Sequence, residues 1–225
     1  MLELLLIRHG ETDWNRELRF QGQVDVPLNA TGHEQARRLG ARLASESVHR
    51  LYSSDLVRTV QTASPAADRR LALPGVVDRA LREQAFGLID GMSVPDIQRD
   101  HPDIWTRWLD FDPDYAPPGG ESQRQFHDRV MGVMARMTRE HAGERLVIVT
   151  HGGVLDILYR VANGMALGGP RQCDIPNAGI NRLRIDGRRV DIVSWGEVGH
   201  LADMPAQPVY DQTRLVKETK DSPPG

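Results

Sequence analysis

Two short stretches of the sequence place a histidine where it could do chemistry. In "LLLIRHGETDWN" (residues 4–15) four apolar residues lead into Arg8 and His9, and in "LVIVTHGG" (146–153) a second apolar run leads into His151. An imidazole that is neutral near pH 7 can act as a nucleophile, and a planar guanidinium matches the geometry of a phosphate. These residues mark either strands that simply end at the surface or a site built at the carboxyl ends of strands.

The elements around these residues alternate between strand and helix. The apolar runs 2–8 and 144–153 predict buried strands, and 48–54 predicts a shorter strand. Helical patterns lie between them, so we expect an α/β fold, a three-layer α/β/α sandwich around a mostly parallel sheet. Ligands bind outside the carboxyl ends of strands in such sheets, which favours the second alternative.

Capping residues mark three helix starts. Thr31 stands three residues before Glu34, so the pair is predicted to form a capping box at the first helix. Ser54 or Asp55 is expected to cap the second helix, and Ser122 the third. A fourth helix is expected directly after the strand that ends in the second histidine.

Three further segments complete the predicted organisation. Residues from about 88 to 120, here called the lid, are rich in proline, aromatic residues and aspartate, and are expected to be a partly helical insertion outside the main sheet. Asp186 and Gly187 separate two alternating runs, which predicts a hairpin. We expect a single domain over 1–203 and a polar tail over 204–225 that is mobile or folded over the surface.

The composition argues against several classes of partner. A formal net charge of −3 gives no electrostatic reason to expect nucleic acid or a membrane surface as a partner. Cys173 is the only cysteine, so an internal disulfide is impossible and a reducing compartment fits best. No run of about 18 apolar residues exists. We therefore expect a cytoplasmic protein.

Four segments together resemble a known family: "RHGETDWN" (8–15), "SSDLVRTVQTA" (53–63), "LREQAFG" (81–87) and "THGG" (150–153). In this order and at these distances they resemble the histidine phosphatase superfamily, in the branch that contains phosphoglycerate mutases and bacterial phosphatases. The likeness covers about residues 3–200 and is highly specific, although each segment alone is modest evidence. Phosphate monoesters hydrolyse extremely slowly without catalysis. Such a site therefore needs cations around the phosphoryl oxygens, a nucleophile in line and an acid at the leaving group.

The resemblance implies a role for each candidate residue. His9 matches the nucleophile, with a backbone carbonyl near Gly10 fixing its tautomer. Arg8 and Arg58 match the two guanidinium clamps, and His151 matches the histidine that stabilises the transferring group. The residues expected to contact phosphate or substrate are Asn15, Gln21, Gly22 and Gly152.

The general acid of the family is matched by Glu83. Protonating a leaving oxygen requires a carboxyl that holds its proton near neutral pH, which a neighbouring phosphate dianion favours. As a carboxylate, Glu83 could then activate water against the phosphohistidine. No metal and no other cofactor is implied, because the two arginines supply the positive charge and the sequence has no clustered ligand set.

Simpler interpretations remain beside these roles. Arg58 alone could be a solvated helix arginine and Glu83 an exposed loop residue, but the joint pattern favours the functional interpretation. A turn explains Gln21 and Gly22 nearly as well as substrate contact does. Four aromatic residues of the lid are expected to form its own small core rather than a substrate cage: Trp105, Trp108, Phe111 and Tyr115.

Phosphatases and mutases share this kind of site, so the lid is expected to determine which of the two reactions occurs. Between 88 and 118 the lid has seven aspartates against Arg99 and Arg107, a net charge of −5, which should disfavour a bisphosphate at short range. "PPGGES" (117–122) also looks like the phosphatase members. We therefore expect a metal-independent phosphomonoesterase that acts through a phosphohistidine on a small phosphate monoester.

Two alternatives and two open questions remain. The first alternative is a 2,3-bisphosphoglycerate-dependent phosphoglycerate mutase. The second is an inactive module that binds a phospho-ligand or a protein. It is disfavoured by the presence of all five central residues, Arg8, His9, Arg58, Glu83 and His151. The physiological substrate is open, and the resemblance allows a homodimer.

Overall fold

Six strands form one sheet in the part of the chain that the computed structural model describes, residues 1–67, 75–187 and 189–207. They are β1 Leu2–Arg8, β2 Arg50–Ser53, β3 Val76–Val77, β4 Arg145–Thr150, β5 Ile180–Asp186 and β6 Arg189–Glu197. Their spatial order is β3-β2-β4-β1-β5-β6. The first four of these run parallel, and β5 and β6 form an antiparallel hairpin beside β1. The sheet is mostly parallel, as the sequence predicts.

Seven α-helices accompany the strands within the described residues. They are α1 Asp13–Arg16, α2 Ala30–Leu43, α3 Val57–Ala66, α4 Val94–Asp100, α5 Pro102–Leu109, α6 Gln123–Glu140 and α7 Gly152–Ala162. Three short 3-10 helices cover Arg79–Leu81, Gly87–Ile89 and Gly199–Leu201. None of the described helices is long and apolar enough to cross a membrane.

Helices cover both faces of the sheet. Leu5 and Ile7 of β1 pack with α2 and α3, whereas Leu4 and Leu6 pack with α6 and α7 on the opposite face. All four side chains are at most 2% exposed. Burying each of them is worth about 1.5–3 kcal/mol, so this apolar run stabilises both layers at once. The predicted three-layer α/β/α sandwich is confirmed.

The start of α2 differs from the prediction. Its N-cap is Asn29, whose Oδ1 accepts a hydrogen bond from Gly32 N at 2.9 Å. The predicted cap Thr31 lies inside the helix, and Glu34 forms ion pairs with two arginines on the helix surface. Asparagine and threonine both cap helices well, so the local pattern could not choose between them. Asn29 also makes a contact with a residue distant in the sequence, because its Nδ2 donates to Glu11 Oε1 at 2.9 Å.

The start of α3 also differs from the prediction. Neither Ser54 nor Asp55 caps it; the N-cap position is Leu56, which makes no side-chain capping bond. Instead the N–H of Val57 donates to Asp25 Oδ1 at 2.6 Å, and Asp55 is held in an ion pair with an arginine. The acceptor comes from 32 positions earlier in the chain, so no local pattern could indicate it.

Two other local predictions are confirmed. Ser122 caps α6, and Gln125 completes a capping box, with backbone-to-side-chain distances of 3.2 and 2.9 Å. In the β5–β6 hairpin, Gly187 follows Asp186 with a φ of 59°, which glycine adopts without steric cost. Both features depend on neighbouring residues alone, which is why the sequence indicates them.

The lid, residues 88–120, is partly helical and lies outside the main sheet, as predicted. Helices α4 and α5 bury a separate core that includes Ile97, Ile104 and Trp105 together with Phe20. Phe20 also exchanges two backbone hydrogen bonds with the lid, at 3.0 and 2.6 Å. The lid is therefore anchored to the segment that follows α1.

The C-terminal tail is described only in its first part. Residues 208–225 of the predicted tail lie outside the described residues. The side chain of Gln207 exchanges two hydrogen bonds with the backbone of Asn177, at 2.6 and 3.0 Å. The start of the tail is thus held against the loop before β5, and the domain boundary at 203 stays a prediction.

Candidate active site

The ends of β1 and β4 bring two histidines side by side. The strands are parallel neighbours in which Arg8 pairs with Thr150, so His9 and His151 leave the sheet at the same edge. The N–H of His9 donates to Thr150 O at 2.9 Å, and the two ring centroids are 5.4 Å apart. This is the carboxyl edge at which parallel sheets bind ligands. The arrangement supports a site at the strand ends rather than strands that simply end at the surface.

His9 is held in one tautomer. Its Nδ1 lies 2.7 Å from Gly10 O, which can only accept, so Nδ1 carries the proton and Nε2 keeps its lone pair. Burial, followed by the charges of Arg58 and Arg8, lowers the pKa of His9 well below its usual value. The ring is therefore neutral at pH 7, the state that a nucleophile requires. A carbonyl at Gly10 is also what the family resemblance predicts.

Two arginines are fixed beside the histidines by backbone carbonyls. Arg8 Nη1 donates to a carbonyl at 2.6 Å, and both Nη atoms of Arg58 donate to Gly22 O and Val24 O at 2.8 Å. Within the described residues the buried Nε of each arginine has no hydrogen-bond partner. Burial is the main cause that lowers the pKa of each guanidinium to about 10, so both stay charged at neutral pH. Each guanidinium is therefore a fixed cation whose Nε–H can still donate a hydrogen bond to a ligand.

The second histidine lies at the start of α7. His151 is fully buried, and neither ring nitrogen has a hydrogen-bond partner in the described part of the chain. Burial, followed by the charge of Arg58, lowers the pKa of His151 well below its usual value. Gly152 is the first residue of α7, so its N–H lies at the positive end of the helix dipole. These groups together suit the binding of an anion.

Glu83 lines the same cleft, and two backbone amides orient its carboxylate. Oε1 accepts from Gln84 N at 2.9 Å, and Oε2 accepts from Gly153 N at 3.0 Å. A Cβ on Gly153 would overlap Glu83 Oε1, so only glycine allows this approach. The second glycine of "THGG" therefore has a positioning role that the motif alone does not reveal.

Arg129 of α6 is a positioning residue that the sequence pattern did not single out. Its guanidinium donates to Glu83 O at 3.0 Å and to the carbonyls of Ala80 and Arg82 at 2.9 and 2.8 Å. It also pairs with Glu121 at 2.7 Å. Arg129 thereby fixes the backbone that carries Glu83. In the sequence it is one arginine among many on an amphipathic helix, so no signal marked it.

The residues expected to contact substrate also line the cleft. Asn15 Oδ1 accepts from Thr12 N at 3.0 Å and closes the capping box of α1, which leaves Nδ2 as the end that can donate to a phosphate. Gln21 is 8% exposed, and its buried Oε1 has no hydrogen-bond partner within the described residues. Gly22 has a φ of 48°, and a Cβ there would overlap Asp90 Oδ1. Gly22 is therefore a turn residue that also borders the site.

Asn177 is a second positioning residue that the pattern did not single out. It is 2% exposed, and its Nδ2 donates to His9 O at 2.9 Å and to Asn15 Oδ1 at 3.4 Å. The next residue, Ala178, has a φ of 54°, and its N–H donates to Arg8 O at 2.9 Å. This turn therefore holds the backbone of both the clamp and the nucleophile. Its sequence, "PNAG", reads as an ordinary surface turn.

Replacing Asn177 by aspartate is expected to lower kcat for p-nitrophenyl phosphate by about 10²-fold, with a much smaller change in KM. A carboxylate would face the carbonyl of His9, where the amide now donates, and would displace the nucleophile without removing any cation. Steady-state kinetics and thermal unfolding of the variant test this. The matched control is Asn163→Asp at the exposed end of α7, where activity should be unchanged. An unaltered kcat in Asn177→Asp would contradict the prediction.

The aromatic residues of the lid divide between its core and the cleft. Trp105 is 3% exposed in the lid core, as expected, whereas Trp108, Phe111 and Tyr115 line the cleft. The expectation of a lid core is therefore met by Trp105 and in part by Trp108, and it is wrong for Phe111 and Tyr115. Trp108 contributes to both, since its ring centroid lies 5.5 Å from that of Phe20. Residues three apart on a helix share one side, so spacing cannot distinguish core from cleft.

Most of the negative charge of the lid is directed away from the cleft. Among the described residues only Asp112 of its seven aspartates lines the cleft, and Arg107 lines it too. Asp96 and Asp100 pair with Arg99 at 3.1 and 2.7 Å instead. The net charge of the lid therefore does not decide against a bisphosphate, because most of these carboxylates are paired or face solvent.

Comparison with known proteins assigns the chain to a family. The family model described as "Histidine phosphatase superfamily (branch 1)" matches residues 4–198. The chain belongs to this superfamily. The matched range includes every candidate residue described above, and the resemblance inferred from the sequence is confirmed.

Relatives of this histidine phosphatase superfamily member carry names of two kinds. "Phosphoglycerate mutase-like protein 4" of Arabidopsis thaliana is 38% identical over 205 residues, which cover 89% of this chain and 87% of the relative. "Metal-independent phosphoserine phosphatase" of the same organism is 34% identical over 206 residues, covering 90% and 84%. Among solved structures, Bacillus stearothermophilus YhfR has a TM-score of 0.80 and 31% identity, covering 89% of this chain and 100% of its own. The shared fold and family leave the reaction to be argued from the site.

The stability of this histidine phosphatase superfamily member is expected to fall as the pH drops below about 6.5. Burial lowers the pKa of both His9 and His151, so below pH 6.5 the unfolded chain binds more protons than the folded chain does. The stabilisation is complete above that pH and is lost on acidification, by up to about 1.4 kcal/mol per pH unit for each histidine. Burial raises the pKa of Asp90 to about 6, which acts in the opposite direction.

Denaturant unfolding of the wild type and of His151→Asn at pH values above and below 6.5 measures this effect. In the variant, the slope of the free energy of unfolding against pH should lose the contribution of about one proton. The contribution of Asp90 is the same in both proteins, so it does not affect the difference between them. Equal slopes for the wild type and His151→Asn would contradict the prediction.

Proposed function

We propose that the protein is a metal-independent phosphomonoesterase that transfers the phosphoryl group of a small phosphate monoester first to His9 and then to water. The supporting observation is a set of buried nitrogens around His9 that lack partners within the described residues: Nε of Arg8, Nε of Arg58 and both ring nitrogens of His151. Each unsatisfied group costs about 1–3 kcal/mol, and one phosphoryl group would satisfy several of them. Fixed donors aimed at developing charge are the main requirement of phosphoryl transfer.

In the first step the lone pair on His9 Nε2 forms a bond to phosphorus while the P–O bond of the ester breaks. The guanidinium groups of Arg8 and Arg58 bind the phosphoryl oxygens, on which charge is concentrated during transfer. Glu83, protonated at this stage, gives its proton to the departing oxygen. The products are the free alcohol, the phosphohistidine and the Glu83 carboxylate.

In the second step a water molecule attacks the phosphohistidine. The Glu83 carboxylate takes a proton from this water as its oxygen bonds to phosphorus, and the electrons of the P–N bond return to His9 Nε2. Inorganic phosphate, neutral His9 and protonated Glu83 result, so the cycle closes. The amide hydrogen bonds from Gln84 and Gly153 keep the carboxylate of Glu83 in place for both steps.

The positive charge in this scheme comes from guanidinium groups. The described residues contain no group of three His, Cys, Asp or Glu side chains that could hold a metal ion. Arg8 and Arg58 remain charged at neutral pH, as their pKa values of about 10 require. They supply the charge neutralisation that a metal ion provides in other phosphoryl-transfer enzymes.

A phosphoglycerate mutase is the second candidate function. It is favoured by Arg171, a further cation that lines the cleft and could bind a second anionic group. The inactive binding module has no such support, since all five central residues are present. We retain the phosphomonoesterase as the proposal, because "PPGGES" (117–122) resembles the phosphatase members and the scheme needs only water as the second acceptor.

A hydrolysis screen over phosphorylated metabolites in EDTA tests the proposal, with 3-phosphoglycerate interconversion assayed in the presence and absence of 2,3-bisphosphoglycerate. We expect hydrolysis that EDTA does not abolish and that exceeds any interconversion. Interconversion faster than hydrolysis would instead support the mutase. Cleavage of p-nitrophenyl phosphate no faster than by His9→Ala would support the inactive binding module.

A further inference from the structure

Beyond the phosphoryl site the cleft is bordered by apolar side chains from three separate segments. We call these residues the rim: Trp14, Leu18, Trp108, Phe111, Tyr115 and Leu167. Five of them are half-buried, and Leu18 is 42% exposed. We propose that the rim binds the leaving group of the substrate, and that this group carries an aromatic or similarly bulky apolar ring. The inference rests on the proposed phosphomonoesterase function and names the substrate class of that site.

Two rim residues have an unusual backbone conformation. Leu18 and Phe111 have φ values of 53° and 51°, in the left-handed region that side chains other than those of glycine and asparagine rarely adopt. Among the described residues Ala178 is the one other non-glycine residue with a positive φ, and it follows Asn177 in the central site. All three lie at or beside the cleft. Backbone strain of this kind clusters at functional sites.

The exposure of Leu18 points in the same direction. It lies in the turn after α1, where its N–H donates to Asn15 O at 3.3 Å. A leucine that remains 42% exposed contributes little to the core, and asparagine or glycine would suit its backbone better. Packing within the fold therefore does not explain the side chain. Contact with an apolar ligand at the cleft does.

The aromatic part of the rim is held rigidly. The ring of Trp108 lies 5.5 Å from that of Phe20, 6.0 Å from that of Phe86 and 6.4 Å from that of Phe111. These edge and tilted contacts fix the indole before any ligand arrives. When a ligand ring packs against this indole, little free energy is spent on ordering the protein, which favours affinity.

The cations at the rim already have protein partners. Arg107 lies over the ring of Tyr115, 4.2 Å from its centroid. Arg19 pairs with Glu17 at 2.5 Å and donates to Gly91 O at 3.0 Å. A second phosphate or carboxylate on the substrate would compete with these contacts, whereas a neutral ring would not. The rim therefore suits an uncharged, apolar leaving group better than a second anion.

The first experiment compares 2-phenylethyl phosphate with ethyl phosphate. Both release primary alcohols of similar basicity, so the chemical step is matched and the phenyl ring is the main difference. Partial burial of the ring should raise kcat/KM for 2-phenylethyl phosphate by about 10-fold or more. Hydrolysis of both esters with equal kcat/KM, or a higher value for 3-phosphoglycerate than for 2-phenylethyl phosphate, would overturn the inference but leave the proposed function intact.

Two variants locate the effect at the rim. Leu18→Asn and Phe111→Asn remove apolar surface at positions where asparagine tolerates the backbone, so folding should not suffer. Each should lower kcat/KM for 2-phenylethyl phosphate by about 3- to 10-fold and leave ethyl phosphate nearly unchanged. Leu88→Asn, 51% exposed and outside the cleft lining, is the matched control. Equal losses for both esters in the rim variants would overturn the inference.

Binding measurements on the wild-type protein test the role of the rim independently of catalysis. Calorimetry with 2-phenylethylphosphonate and ethylphosphonate, which cannot be hydrolysed, should give a Kd at least about 10-fold lower for the phenyl compound. That result would support the rim even if no ester were cleaved. Equal Kd values would overturn the inference, whereas hydrolysis no faster than that of His9→Ala would overturn the proposed function instead.

Discussion

Replacing His9 by alanine is expected to reduce the hydrolysis of p-nitrophenyl phosphate by about 10⁴-fold or more. Alanine has no lone pair with which to form the P–N bond. The variant should still bind phosphate with little change in Kd, because backbone carbonyls and not His9 hold Arg8 and Arg58. Binding without turnover would separate the nucleophile from the clamps.

Single-turnover kinetics and calorimetry with inorganic phosphate make this measurement. His33→Ala is the matched control, since His33 lies on the exposed face of α2, and it should retain full activity. A quench in alkali, in which the P–N bond is stable, should trap phosphohistidine in the wild type and not in His9→Ala. Activity within tenfold of the wild type in His9→Ala would rule out His9 as the nucleophile.

The central site could be located from the sequence because its signals are local. Arg8 and His9 come directly after an apolar run, and so does His151, and parallel strands place such positions at one edge. The cap at Ser122 and the turn at Gly187 could likewise be predicted from the sequence, since each depends on residues a few positions apart.

The features that sequence patterns missed depend on contacts between distant residues. The amide of Asn177 reaches the carbonyl of His9 across 168 positions, and Arg129 reaches that of Glu83 across 46. Both residue types are common in turns and helices, and neither carries a spacing that marks its partner. The acceptor that Asp25 supplies to α3 escaped prediction for the same reason.

The lid shows how composition can mislead about electrostatics. Its aspartates outnumber its arginines, yet charges act through distance, and pairing with Arg99 or exposure to solvent removes most of them from the cleft. What borders the site is aromatic side chains such as Trp108, whose orientation follows from the packing of the lid. Only the three-dimensional arrangement decides which side chains a substrate meets.

Replacing Glu83 by glutamine is expected to affect alkyl and aryl phosphates differently. An alkoxide is a poor leaving group, so the loss of the proton donor should lower kcat/KM for ethyl phosphate by about 10²- to 10⁴-fold. p-Nitrophenolate leaves without a proton, so the transfer of the phosphoryl group from this ester to His9 should be much less impaired. The acid role therefore predicts a dependence on the leaving group, which simple loss of structure would not give.

The base role of Glu83 predicts a second signature in the same variant. A glutamine cannot take a proton from water, so the phosphohistidine should form faster than it is hydrolysed and should accumulate. Rapid mixing with p-nitrophenyl phosphate should then show a burst of about one nitrophenolate per protein molecule, followed by slow turnover. Glu34→Gln, a surface carboxylate of α2, is the matched control and should behave as the wild type does.

These two signatures decide whether one carboxyl group serves both steps. In Glu83→Gln the amide still accepts one of the two hydrogen bonds that Gln84 and Gly153 now donate, so the backbone around it should hold. A loss confined to ethyl phosphate, without a burst, would mean that Glu83 is the acid and another group activates water. Equal losses for both esters without a burst would mean that Glu83 orders the site and takes no proton. A leaving-group dependence together with a burst is the outcome that a shared acid and base requires, since the proton given in the first step is the one recovered in the second.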